Sequence, residues 1–140
     1  MMDENLRNAL NSGLYVVEKN LRMVTHLLDQ HPMRGITYSL EETVDSRIDA
    51  ETRVAINKML KEIELLRETY DLPVRTESIK RRIYSCLGEV WFTLHDCKPE
   101  RIQGYGKLED SDIVFLDEHI GPMLKLVTHL EQTLYPKRPK

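Results

Sequence analysis

The chain has no long apolar run. Its longest uninterrupted hydrophobic stretches are four residues, Leu14–Val17 and Ile113–Leu116, far short of the ~20 that cross a bilayer. No secretory signal fits them either. Cysteine is scarce. Cys86 and Cys97 lie eleven positions apart; on one helix that is about 16 Å, well outside disulfide reach. Two unpaired thiols without a leader point to a reducing cytoplasm. Six Gly and six Pro in 140 residues exclude a linker-like or collagenous chain. Neither sign of charge dominates: twenty Lys+Arg stand against twenty-three Asp+Glu, a net −3. That excludes a chain basic throughout and leaves room for a local basic patch. The motifs of common chemistries are missing too: no H-E-x-x-H, C-x-x-C, G-x-S-x-G or P-loop occurs. The Glu-x-x-His of di-iron bundles is absent, since Met23, Leu28, Phe92, Leu116 and Leu126 stand three positions before the five histidines.

What is present is helical periodicity. Hydrophobic residues make up 41% and charged residues 31%, ordinary for one soluble domain of this length. The first helical stretch, Asp3 to Gln30, places Leu10, Leu14, Val17, Leu21, Val24 and Leu28 on one stripe. Val16, Met23 and Leu27 widen it, as a bundle helix requires. His31-Pro32 marks its stop. The second stretch opens at Ser39 with the S-x-x-E capping box to Glu42, or later, near Asp49. It carries Ile48, Ala55, Met59, Ile63, Leu66 and Tyr70 to a stop at Asp71-Leu72-Pro73. The third, Glu77 to Cys97, aligns Ile83, Leu87, Val90, Leu94 and Cys97, with Val90-Trp91-Phe92 making it apolar nearly all round. The loop Pro99–Asp110 follows. The fourth helix starts near Ser111 or Asp112 and keeps one phase from Ile113 to Leu134, through a kink at Gly121-Pro122. Only Ile36–Leu40 hints at a period of two. Met23, Met59 and Met123 read as core.

Four helices with short connections predict an all-α fold: one domain over residues 1–140, an antiparallel up-down-up-down four-helix bundle, with 136–140 a frayed basic tail. This model gathers His26, His31, His95 and His119 at one end. Arg67, Arg75, Lys80, Arg81, Arg82 and the tail Lys137, Arg138 and Lys140 gather at the other. On the helical stripes His26, His95 and His119 turn outward on different faces, so no metal or other cofactor is expected; His95 and His119 remain the alternative ligands. Cys97, His95 and Asp96 are consecutive, hence about 100° apart on a helix, and cannot form a relay.

Arg75, Lys80, Arg81 and Arg82 cluster near the start of the third helix and could hold a phosphate or a nucleic-acid backbone weakly. Glu62, Glu64, Glu68 and Glu77 are available to neutralise them, so nucleic acid is not the expected partner. The aromatics leave two readings open. Tyr84 and Trp91 share one side of the helix, and with Phe92 and Tyr105 they form a patch that meets a partner. Alternatively, Trp91 fills a broad core beneath Gly104-Tyr105-Gly106. The expectation is a cytoplasmic interaction or accessory protein without catalytic activity, binding its own copy as a homodimer or another protein. The competing expectation is an enzyme or metal-binding bundle that uses the histidines.

Overall fold

A computed structural model describes residues 2–30 and 33–136. The described chain is mostly helical, with five α-helices and little strand. The His31-Pro32 stop and the tail Lys137–Lys140 lie outside the described residues. Two compact units are present, Met1–Arg75 and Thr76–Lys140.

The first unit is an antiparallel pair of helices. Helix α1 (Glu4–Gln30) starts where Asp3 Oδ1 accepts the Leu6 N–H at 2.9 Å, satisfying an otherwise free donor. Between α1 and α2 lie two short strands, β1 (Met33–Arg34) and β2 (Ser39–Leu40), paired Met33 to Leu40 and Arg34 to Ser39. The Gly35 N–H donates to the Tyr38 carbonyl at 2.8 Å, and a Cβ on Gly35 would sit 2.8 Å from that same oxygen. Only glycine fits there. The period-two hint of Ile36–Leu40 falls on this turn.

Helix α2 (Ser46–Thr69) begins seven residues after Ser39. Its cap is Asp45, whose carboxylate accepts the Arg47 N–H at 2.7 Å. The expected capping box does not form, because Ser39 is in β2 and its hydroxyl donates to Glu41 at 3.1 Å. The other end of α2 closes in a Schellman turn. The Leu72 N–H donates to the Arg67 carbonyl at 2.9 Å and the Asp71 N–H to the Glu68 carbonyl at 3.3 Å. Asp71 takes the left-handed position at φ 50°, where glycine is usual. Leu72 then tucks in and is only 2% exposed. Arg7 of α1 completes this end: its guanidinium donates to the carbonyls of Tyr70 at 3.2 Å and Asp71 at 2.6 Å. Carbonyls left free at a helix end are thereby satisfied.

The second unit is also an antiparallel helix pair. Helix α3 (Ile79–Asp96) is capped by Ser78, whose hydroxyl accepts the Arg81 N–H at 3.2 Å. The segment read as a loop from Pro99 holds one more helical turn, α4 (Pro99–Ile102), then a 3₁₀ turn at Gln103–Tyr105. Pro99 opens α4 at a position that needs no N–H, and is buried. Helix α5 (Asp110–Leu134) carries Asp110 and Asp112 in its first turn, favourable to its dipole, and contains Pro122. Ile120 and Val127 are its buried residues.

Candidate interaction surface

Each unit covers one line of its helices and leaves the next line open. On α1 the half-buried residues include Leu14, Leu21, Thr25 and Leu28, and on α2 Ile56 is buried between half-buried Thr52 and Leu60. At about 100° per residue, Leu6, Val17 and Val24 lie ~60–80° round α1 from that line. They are 57, 44 and 38% exposed. Ile48 and Met59 lie the same way round α2 from Ile56, and are exposed as well. In an antiparallel pair the same sense of rotation brings both sets to one side of the layer. That side holds a groove of about 370 Å³ lined by Leu21, Val24, Ile48, Ala55, Ile56 and Met59, with Glu51 and Thr52 beside them.

The second unit repeats the pattern. Leu87, Trp91 and Leu94 of α3 are half-buried, whereas Ile83 and Val90 are open. On α5 Ile120 and Val127 are buried, whereas Met123, Leu126 and Leu130 are open on the same side of the layer. Met23, Met59 and Met123, expected in the core, are therefore exposed. The sequence stripes point between the covered line and the open one.

The aromatic candidates divide. Tyr84 packs edge-on against Tyr135 at 5.1 Å, and Lys80 Nζ lies 5.1 Å over the same Tyr135 ring. Trp91 is half-buried, stacked with His95 at 5.0 Å and edge-on to Phe92 at 5.3 Å. Phe92 and Tyr105 are the most open members, at 68 and 94%, and Tyr84 is exposed as well despite its contact with Tyr135. Tyr105 is thus not a cover for the Trp91 ring.

The basic candidates are spread over both units. Arg75 belongs to the first, its guanidinium 4.0 Å over the Tyr15 ring. In the second, Arg82 pairs with Glu77 at 3.3 Å, Lys80 is drawn to Tyr135, and Arg81 is exposed. Of the histidines, His26 is exposed, and His95 and His119 each contact an aromatic ring one turn earlier on their own helix, Trp91 and Phe115. Among the described residues no group of three or more His, Cys, Asp or Glu side chains is placed to hold a metal ion.

Three polar features escape sequence reasoning: the Arg7 clasp, the left-handed Asp71, and Arg53. The Arg53 guanidinium bonds Asp49 on its own helix at 2.7 Å and Asp29 of α1 at 2.8 Å. Those two carboxylates hold its pKa above the ordinary value, the Asp49 hydrogen bond contributing most. The Asp49/Arg53 spacing of four was legible as a helical pair; the partner on α1 was not.

No protein-family model, curated protein or solved structure matches this chain.

Proposed function

We propose that this chain is a small cytoplasmic helical interaction protein without catalytic activity that self-associates and binds a partner protein. One observation carries the reading. Apart from Pro99, the described residues bury only Ile56, Leu72, Ile120 and Val127, and leave a broad apolar face on each helix pair. Contiguous open apolar faces of this kind are interaction surfaces in proteins that remain dissolved. The arrangement proposed for the four long helices is the antiparallel up-down-up-down bundle, which covers part of each open face within the chain and leaves the remainder for a second copy. A bend in α5 at Gly121-Pro122 belongs to the same proposal. Phe92 and Tyr105, together with Tyr84 and Trp91, are the residues proposed to meet another protein, because exposed aromatic side chains supply much of the binding energy at interfaces.

Light scattering and dye binding test this reading. A dimer at every accessible concentration is expected, with little binding of a dye that reports exposed apolar surface. A monomer that binds the dye strongly would leave both faces uncovered and end the proposal. Phe92→Ala with Tyr105→Ala should leave the dimer intact and abolish recovery of the partner protein that the wild type retains.

A further inference from the structure

Helix α2 ends at Thr69, yet the chain does not leave the first unit there. It doubles back along α1. Arg7 of α1 holds the carbonyls of Tyr70 and Asp71, and further along α1 the Tyr15 ring lies under the guanidinium of Arg75, 4.0 Å from its centroid. Arg7 and Tyr15 are eight positions apart, about 12 Å along the helix axis. Asp71 to Arg75 is four positions, about 13 Å when extended. The two lengths agree, so Asp71–Arg75 lies stretched along α1. Left-handed Asp71 turns the chain out of α2, and Pro73 keeps Leu72 away from the helical region. Residues 72–78 carry no helix or strand. Arg7, Asn11 and Tyr15 are half-buried at steps of four, drifting round α1 to the flank turned away from the groove.

The two ends of this strap are held differently. At its start Leu72 is fully covered and the flanking carbonyls accept charged hydrogen bonds from Arg7. That end is part of the core. Val74 is 71% exposed and holds nothing. At the far end Arg75 is exposed, and its contact is the face of the Tyr15 ring. Lys19, one turn on along α1, lies over the same ring at 4.6 Å. A guanidinium over a tyrosine ring at an exposed site is a weak tie. It opens often, whereas the buried anchor opens only with the helix pair.

We infer that Asp71–Arg75 is a latched strap, fixed at Leu72 and releasable at Arg75, that governs when the chain joining the two units can be cut. Latched, it holds the Arg75–Thr76 bond against α1. Released, it offers an arginine in extended backbone, the form in which a trypsin-class protease takes its substrate. Such a protease must draw the guanidinium into its own specificity pocket, so cleavage at Arg75 requires the Tyr15 ring to have let go. Trypsin acting on the full chain tests this, with the new terminus at Thr76 followed by mass spectrometry. Where relatching outpaces cutting, the rate reads the released fraction. Tyr15→Leu should speed the cut at Arg75 about two- to fivefold, the worth of one exposed contact of this kind. Cuts inside α2, at Lys61 and Arg67, should keep their wild-type rates. Tyr15→Phe retains the ring and should be cut at Arg75 no faster than wild type. Equal rates at Arg75 in wild type and Tyr15→Leu overturn the latch. So does Tyr15→Phe cut as fast as Tyr15→Leu, which assigns the hold to the hydroxyl. Acceleration at Lys61 and Arg67 by the same factor as at Arg75 means that the whole helix pair has loosened, and rejects a local release.

Discussion

The two helix pairs are closed by different chemistry. The first is clasped by charge at both ends: Arg7 holds the carbonyls that end α2, and Arg53 joins Asp49 to Asp29 across the helices. The second has an aromatic clasp, Tyr84 edge-on to Tyr135 with Lys80 over the ring. The difference follows from what each chain end offers. Helix α2 ends in a tight Schellman turn that leaves two carbonyls to be satisfied, so a donor is needed there. Helix α5 ends at Tyr135 in front of a proline, which brings a large ring to the start of α3. A charged clasp is screened by salt and an aromatic one is not, so the two units should respond differently to the same solvent.

The strongest way to separate them is to empty one core at a time. Leu72→Ala removes the most buried aliphatic residue of the first unit and should cost about 3 kcal/mol. Amide exchange should quicken in residues 4–69 and stay slow in 79–134. Ile120→Ala should do the reverse. Equal loss of protection everywhere in either variant would mean that the pairs open as one body.

A smaller effect is expected from the clasp itself. Arg7→Ala withdraws charged donors from two carbonyls and should cost about 1–2 kcal/mol, seen as a lower denaturant midpoint. Added salt should narrow the gap to wild type. If Arg7→Met were as stable as wild type, the side chain's packing rather than its hydrogen bonds would close the pair. The smallest change goes the other way. Asp71 stands at φ 50°, a conformation glycine adopts without strain. Asp71→Gly should stabilise the first unit by about 0.5–1 kcal/mol. A loss instead would show that the Asp71 side chain contributes at that turn.

Much of the helical pattern was legible in the residues. The spacing of Leu10 to Leu28 predicts α1 to within a residue of its observed ends, and Asp71-Leu72-Pro73 marks the end of α2. The strands at Met33–Arg34 and Ser39–Leu40 are too short for alternation to register, so the Ser39/Glu42 pair reads as a helix cap when the actual cap is Asp45. Pro99 reads as a stop although it opens a short helix, because proline both ends one helix and starts the next. The candidate surface was harder. Tyr84 and Trp91 sit on one side of α3, as their spacing requires, yet Tyr84 contacts Tyr135, which no local pattern reveals. Phe92 and Tyr105 are left as the most open members of the set.

By itself the sequence determined that the chain is helical, where α1 and α3 run, and that each helix carries an apolar stripe, widened nearly all round on α3 by Val90-Trp91-Phe92. Those properties depend on residues three and four apart, which are neighbours on any helix whatever surrounds it. The tertiary structure decided which half of each stripe is covered, which carbonyls Arg7 satisfies, and which aromatic residues remain open. These depend on partners tens of residues away: Arg7 meets Tyr70 and Asp71, and Asp29 meets Arg53. An apolar stripe records the sum of everything a helix packs against, and only the folded chain divides that sum among its neighbours.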